Sequence, residues 1–241
     1  MKFCSLRVSS AFRSICTAFG VLAFASGLTA QITLAGWEFA GHDAINDNPL
    51  AATTLGENIS AASLQLGPGL SAVGTADTFT ANSFDFNSLA DAIDNDDYFS
   101  FTVTPVDGAS FTPSSLSGRF RLGSFAHMAL FSSATGFTVG AEIWSGDVPS
   151  GFRIVTIDLS TAYEAGALTE ATEFRFYAYR DYPDETAIGL TPQSGVDDFV
   201  LSGTTAMAAV PEPSTYAAIA GGCALAGAAW RRRAGRKSAQ V

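Results

Sequence analysis

Residues 98–104 read YFSFTVT, and in this stretch apolar and hydroxyl-bearing side chains alternate along the chain. In an extended chain Phe99, Phe101 and Val103 point to one side, because successive side chains of a strand face opposite ways. A period of two predicts a β-strand with one face on a core. The same alternation recurs in three further stretches, at 116–122, 137–143 and 174–179.

Shorter segments between turn-forming residues complete the pattern. They predict further strands at 32–39, 62–66, 127–131, 153–159 and 196–202, and one short helix at 86–93. Turns rich in Gly, Pro and Asp separate these segments. Many short strands with few helices indicate an all-β fold, an antiparallel two-sheet sandwich. The size favours a jelly-roll-like sandwich over an immunoglobulin-like form.

The composition excludes several classes of protein. Hydrophobic residues make up 47% and charged residues 15% of the 241 residues, which is too apolar for a disordered chain. Between residues 31 and 209 there are five arginines, no lysine and 22 acidic residues, so this body carries a net charge of −17. Such a charge repels polyanions, and nucleic acid is therefore not an expected partner.

The body also lacks several kinds of chemistry. All three cysteines lie outside it, so we expect no disulfide, no thiol nucleophile and no Cys-ligated zinc there. The two histidines, His42 and His127, do not form a His-x-x-x-His pair, and this spacing disfavours a His-based zinc site. No Gly-x-Ser-x-Gly elbow occurs either.

The first 30 residues are typical of a secretory signal peptide. A basic start is followed by an apolar run at 15–25 and by small residues up to Ala30. The apolar run is shorter than the roughly 20 residues that span a bilayer, which disfavours a retained anchor. We predict a signal helix within 1–30 and cleavage after Ala30, with Ala35 as the second choice.

The C-terminal end combines three features in a fixed order. After the predicted sandwich domain, 31–203, come a linker at 204–215, an uncharged apolar stretch at 216–230 and a basic tail at 231–241. An apolar stretch with basic residues after it predicts a single transmembrane helix with its tail in the cytoplasm. The linker contains Pro-Glu-Pro, and its two prolines keep it extended.

This tail resembles the PEP-CTERM sorting signal of Gram-negative bacteria, which a membrane transpeptidase, the exosortase, recognises in hosts that make exopolysaccharide. The resemblance implies export across the inner membrane, a membrane-anchored intermediate, and release to the cell envelope or the outside. A permanent C-terminal anchor is the alternative. The residues that would carry the sorting signal are Pro211, Glu212 and Pro213 as the recognition element and Arg231, Arg232 and Arg233 as the stop.

The body resembles, more loosely, the β-sandwich domains found in front of such tails, and with them lectin-like and carbohydrate-binding sandwiches of concanavalin A type. None of the matching pieces is a catalytic signature. They are the early Trp-x-Phe at 37–39, LGPGL at 66–70, DDYFSFTVTP at 96–105, FRFY at 174–177 and GVDDFVLSG at 195–203.

The densest carboxylate cluster lies just ahead of the YFSFTVT stretch and contains Asp91, Asp94, Asp96 and Asp97. Carboxylate oxygens close together suit calcium, although this spacing does not match an EF-hand loop. An acidic surface turn is the commoner explanation, so no cofactor is expected and calcium at these residues is the alternative. The pair at 197–198 is a second candidate, with a loop-tying carboxylate as its alternative.

The candidate glycan site is the second face of the strand at 174–179. Arg175, Tyr177 and Tyr179 alternate with phenylalanines and are expected opposite the side that faces the core. Exposed tyrosine rings can stack on sugar rings while the hydroxyl group forms hydrogen bonds. The alternative is that a loop covers this face.

Two functions follow from the sequence. The first is an exported, non-catalytic envelope or matrix component, for which extracellular polysaccharide is a candidate ligand. The alternative is a polysaccharide hydrolase on the same lectin-like sandwich, which requires two carboxylates about 5–10 Å apart across a groove. The Glu-x-Asp-x-x-Glu arrangement of laminarinase-type sandwiches is absent from the sequence, which favours the non-catalytic function.

Overall fold

The computed structural model describes residues 31–84, 87–122, 126–149, 151–164, 166–179, 188–190, 198–208 and 220–225. The predicted signal peptide, the Pro-Glu-Pro segment and the basic tail lie outside the described residues. Residues 220–225, inside the predicted transmembrane stretch, are helical. Over the described residues, no helix combines the length and the hydropathy needed to cross a membrane.

Between residues 31 and 208, the described residues form fourteen strands, one α-helix and one 3-10 turn. The helix α1 (Leu89–Asp94) precedes β7, and the 3-10 turn (Thr161–Tyr163) follows β11. In chain order the strands are β1 (Ile32–Trp37), β2 (Leu50–Ala51), β3 (Thr54–Leu55), β4 (Ile59–Leu66), β5 (Ser71–Val73), β6 (Phe79–Asn82), β7 (Tyr98–Pro105), β8 (Ala109–Leu122), β9 (Ala126–Ser132), β10 (Trp144–Val148), β11 (Gly151–Asp158), β12 (Thr172–Tyr179), β13 (Ile188–Leu190) and β14 (Phe199–Met207).

These strands form two sheets with antiparallel pairing. In the larger sheet the order is β3-β1-β14-β8-β13-β6-β5, and β11 pairs with β8 as well. Gly118 of β8 is paired with Phe199 of β14 and with Val155 of β11, so β11 lies on the opposite side of β8 from β14. In the smaller sheet the order is β10-β9-β12-β7-β4-β2.

The two sheets pack face to face, because side chains from both belong to one hydrophobic core. The Phe101 ring of β7 stacks on Phe174 of β12, with 4.7 Å between ring centroids. The same ring approaches Phe199 at 5.3 Å and Trp37 at 5.7 Å, both from the larger sheet. The predicted all-β, antiparallel sandwich is therefore confirmed, with the alternating YFSFTVT stretch at its centre.

The chain crosses repeatedly between the sheets, for example from β7 in the smaller sheet to β8 in the larger and back to β9. β14 lies between β1 and β8 and runs to Met207, beyond the predicted domain end at residue 203. The Ala208 N–H then donates to the Gly108 carbonyl at 2.7 Å. The sandwich is thus complete only at about residue 208.

The strand predicted at 137–143 is wrong. The chain turns there instead, and Gly140 has a φ of 92°, in the left-handed region that favours glycine. The Gly140 N–H donates to Oε1 of Glu142 at 2.9 Å, which holds the turn. The alternation of apolar and polar residues did not distinguish this irregular segment from a strand.

The strand that the sequence missed in this region is β10. Its residues 145–147 read Ser-Gly-Asp, a combination typical of a turn. In the structure Gly146 makes room for the indole of Trp144, since a Cβ at this position would lie 2.7 Å from the ring. The glycine is therefore required by side-chain packing and does not mark a turn.

Candidate functional site

Arg175, Tyr177 and Tyr179 of the predicted glycan site all belong to β12, on the side of the smaller sheet that faces away from the core. Tyr177 is paired with Ala129 of β9 and with Tyr98 of β7, and Tyr179 with His127 of β9. The sequence therefore placed the three side chains on the correct face. Their surroundings differ from the prediction.

Tyr177 is fully buried, so the expectation that its ring is exposed for sugar stacking is wrong. It belongs to a second apolar cluster, the outer cluster, which consists of Ala92, Tyr98, Ala129, Phe131 and Tyr177. Leu89 and Ile93 of α1, and Phe137 and Ala141 of the segment after β9, pack against this cluster. The alternative given by the sequence, in which a loop covers this face, therefore applies to the part of β12 around Tyr177.

Arg175 is held by contacts on several sides. Its Nε and Nη2 donate to the two carboxylate oxygens of Glu173 at 3.0 and 3.1 Å, a two-pronged ion pair. Its Cζ lies 4.2 Å from the centre of the Tyr98 ring and 4.0 Å from that of the Phe137 ring. Arg175 therefore joins the smaller sheet to the segment after β9 that contains Phe137. Its guanidinium is occupied by contacts with protein groups.

Ionisation in the outer cluster follows from burial. Burial raises the pKa of Tyr98 and that of Tyr177 above the usual value for tyrosine, so both rings stay neutral at physiological pH. For Arg175, burial acts to lower the pKa, but the hydrogen bonds to Glu173 and Tyr177 and the negative charge of Glu173 together outweigh burial, so the pKa is raised. The Arg175 guanidinium is therefore a permanent positive charge, and it lies against the rings of Tyr98 and Phe137 beside the outer cluster.

Tyr179, at the end of β12, lies in a different setting. Its ring stacks on His127 of β9, with 5.3 Å between centroids and 29° between ring planes. His127 Nδ1 lies 2.6 Å from Oδ1 of Asp147 on β10, and the two side chains are 28% and 62% exposed. We call His127, Asp147 and Tyr179 the rim cluster, because it lies where the outer cluster ends.

The rim cluster combines a partly exposed aromatic ring with a carboxylate and an imidazole. This set can stack on an apolar ring face and form hydrogen bonds to neighbouring hydroxyl groups. Of these three residues, only Tyr179 was predicted from the sequence to belong to a glycan site. His127 and Asp147 are brought beside it by the registers of β9 with β10 and β12, which the sequence does not specify.

Asp91, the first of the acidic residues before β7, takes part in the cap of the preceding helix. Ser88 Oγ accepts a hydrogen bond from the Asp91 N–H and donates to Asp91 Oδ2, which caps the start of α1. Asp97 is buried, whereas the side chain of Asp96 is 51% exposed. Among the described residues, no group of three or more His, Cys, Asp or Glu side chains is placed to hold a metal ion. Calcium at Asp91, Asp94, Asp96 and Asp97 stays a prediction.

Asp198, the described member of the second acidic pair, ties a loop to the larger sheet. Its Oδ2 accepts a hydrogen bond from the Phe39 N–H at 3.1 Å. Its own N–H donates to the Trp37 carbonyl at 3.0 Å, so both groups fix the chain that leaves β1. This is the loop-tying role that the sequence analysis gave as the alternative to calcium.

Residues 209–233 match the family model of the PEP-CTERM protein-sorting motif. The match contains the Pro-Glu-Pro tripeptide, the apolar stretch and the three successive arginines, in the predicted order. The predicted resemblance is confirmed at this end of the chain. The chain thus combines a β-sandwich with a PEP-CTERM protein-sorting motif, and the motif implies export.

No curated protein matches this chain. Among solved structures, the chain is similar to three variants of CBM29-2, studied for ligand recognition by family 29 carbohydrate binding modules. Each is 11% identical, covers 72–73% of this chain and 91–92% of its own, and superposes with a TM-score of 0.32–0.33. The fold is therefore assigned from the two sheets described above and not from these superpositions.

Proposed function

We propose that the protein is an exosortase substrate whose sandwich becomes a non-catalytic component of the cell envelope or extracellular matrix. The observation that carries the proposal is the sorting motif at 209–233, which begins just after the last strand of the sandwich. Cleavage near Pro211 to Pro213 would remove no part of the sandwich, because β14 ends at Met207. The membrane helix and basic tail would hold the chain until then.

The body suits this destination. Its net charge of −17 keeps it soluble after release, and its core contains aromatic rings from both sheets and needs no disulfide. The hydrolase alternative lacks comparable support. Two surface pockets, of about 370 and 260 Å³, each have one carboxylate among their described lining residues, Glu142 and Glu170, whereas glycosidases use two.

Fractionation of host cells tests the sorting proposal. In a host with exosortase, we expect the chain to leave the membrane fraction and accumulate in the envelope or the medium. In the same host without exosortase, all of it should stay with the membrane. A control chain that ends at Ala208 should leave the membrane in both hosts. Equal release of the full chain from both hosts would contradict the proposal.

We further propose that the sandwich binds a neutral glycan, with the rim cluster as the contact site. The supporting observation is the stacked pair of Tyr179 and His127, whose rings lie beside the exposed carboxylate of Asp147. Arg175 and Tyr177, the other two members of the predicted glycan site, would act by supporting β12. A polyanionic glycan is disfavoured because the body carries −17.

A glycan array with the purified chain tests this second proposal. We expect binding that weakens at least about tenfold in Tyr179→Ala, since stacking and hydrogen bonding both depend on the ring. Tyr179→Phe keeps the ring and should retain most of the binding. Binding that is unchanged in Tyr179→Ala would exclude the rim cluster as the contact site. The absence of binding to any glycan would contradict glycan binding and would not affect the matrix-component proposal.

A further inference from the structure

Three chain segments meet at the end of the sandwich where β14 ends. The Asn58 side chain donates from Nδ2 to Thr205 Oγ1 at 3.2 Å. The Asn58 carbonyl accepts from the Val106 N–H at 2.9 Å, and the Gly108 carbonyl accepts from the Ala208 N–H at 2.7 Å. These bonds join the turn before β4, the turn between β7 and β8 and the end of β14 into one surface. We call this surface the base, and it consists of residues 56–58, 106–109 and 205–208.

The base carries negative charge and one exposed apolar side chain. Glu57 and Asp107 are exposed, and the segments of the base contain no lysine or arginine. Within the described part of the chain, neither carboxylate forms an ion pair. Met207 is 54% exposed. Such a surface fits a partner that presents basic and apolar groups.

The sorting tripeptide follows the base closely along the chain. Pro211 comes three residues after Ala208, the last described residue of the sandwich. A fully extended chain spans at most about 3.6 Å per residue, so Pro211 lies no more than about 11 Å from Ala208. The predicted membrane stretch begins at Tyr216, and the same limit places it within about 29 Å of Ala208.

An enzyme that holds the tripeptide has no room to avoid the base. Even a domain of about 100 residues has a radius of gyration of about 13 Å, which exceeds the reach from Ala208 to Pro211. A binding site also encloses most of the surface of its ligand, so protein must surround the tripeptide on several sides. The enzyme therefore lies against the base while it holds Pro211 to Pro213.

We propose that the base is a docking surface for the extramembrane part of the exosortase, which thus recognises the folded sandwich together with the tripeptide. This proposal rests on the proposed sorting function. Basic groups of the enzyme lie opposite Glu57 and Asp107, and an apolar group packs on Met207.

The rim cluster lies at the opposite end of the sandwich. β7 leads from Tyr98 to Pro105, beside the base, and covers about 23 Å at a rise of about 3.3 Å per residue. Tyr98 is paired with Tyr177 of β12, and Tyr179 lies two residues further from the base. Asp94, at the end of α1, precedes Tyr98 at this far end and is exposed. Position 94 is therefore the matched control for position 107.

Photo-crosslinking tests the contact directly in the full-length chain. A photoreactive residue in place of Asp107 should crosslink to a catalytically inactive exosortase, on which the unprocessed chain accumulates. The same residue in place of Asp94 should give only background crosslinking. A spacer of about twelve Gly and Ser residues after Ala208 adds about 20 Å of reach and should lower the crosslinking from position 107 towards background.

Charge reversal tests whether the contact affects processing. In a host with active exosortase, Asp107→Arg should slow conversion of the membrane form to the released form by about tenfold or more, because it opposes basic groups of the enzyme. Asp94→Arg makes the same change at the far end and should alter the rate by less than about twofold. With the spacer, the rates with and without Asp107→Arg should be equal.

The outcomes separate this proposal from the sorting function. If the unsubstituted chain is not processed in this host, the sorting function fails and the docking proposal fails with it. Normal processing with equal crosslinking from positions 107 and 94 would overturn the docking proposal alone. So would an unchanged rate for Asp107→Arg, or crosslinking from position 107 to lipid and not to the enzyme.

Discussion

Replacing Phe101 by Ala should lower the free energy of unfolding by about 3–5 kcal/mol. The Phe101 side chain is fully buried, and its ring contacts Phe174 of its own sheet and Phe199 of the opposite sheet. Removing the ring leaves a cavity between the sheets that neither neighbour can fill without leaving its own contacts. Urea unfolding followed by tryptophan fluorescence measures the loss, and one of the three tryptophans, Trp37, has its ring centre 5.7 Å from that of Phe101.

Phe152→Ala is the matched control, because this phenylalanine is 50% exposed on the outer face of the larger sheet. Its cost should stay within about 1 kcal/mol, including the lost contact with Arg119. If Phe101→Ala also costs less than about 1 kcal/mol, the assignment of the core-facing side of β7 is wrong.

Replacing Arg175 by Ala should cost about 2–3 kcal/mol, because two charge-assisted hydrogen bonds and two cation–π contacts are lost together. The variant also leaves the Glu173 carboxylate, 22% exposed, without its two-pronged partner. The segment that contains Phe137 should loosen first. Hydrogen exchange at 137–143, together with urea unfolding, measures both effects.

Two controls define what the Arg175 result means. Arg175→Lys keeps the charge but loses the planar group, so it should recover only part of the stability. Arg153→Ala changes an exposed arginine and should cost no more than about 0.5 kcal/mol. A cost for Arg175→Ala as small as that of Arg153→Ala would mean that the aromatic sandwich around the guanidinium contributes nothing.

The sequence predicted the central strands well because their alternation reflects burial on one side. β7 and β12 lie within a residue or two of the predicted stretches, and Phe101 and Phe174 face the core as expected. The short strands β2, β3 and β5 carry too few residues to show a period. β13, also three residues long, was missed for the same reason.

The candidate site was predicted only in part, because exposure depends on what packs over a strand. Nothing in the residues of β12 shows that α1 and Phe137 cover Tyr177 and leave Tyr179 half-buried. The rim cluster depends on strand register, which pairs His127 with Asp147 and with Tyr179. Register follows from the whole sheet, so no local pattern marks these three residues as neighbours.

The sorting motif was predictable because it is a local and ordered signal. Its three parts follow one another along the chain and need no tertiary contact to be identified, and the match at 209–233 covers all of them. Processing at this motif is the step on which the proposed function of the sandwich depends.

The most direct test is the intact mass of the protein recovered from the envelope or the medium of a host that has exosortase. We expect a chain that begins near Gln31, contains the whole sandwich through Met207, and ends in the region of Pro211 to Pro213. A recovered chain whose mass still includes Arg231 to Lys237 would contradict this expectation and would identify the tail as a permanent anchor.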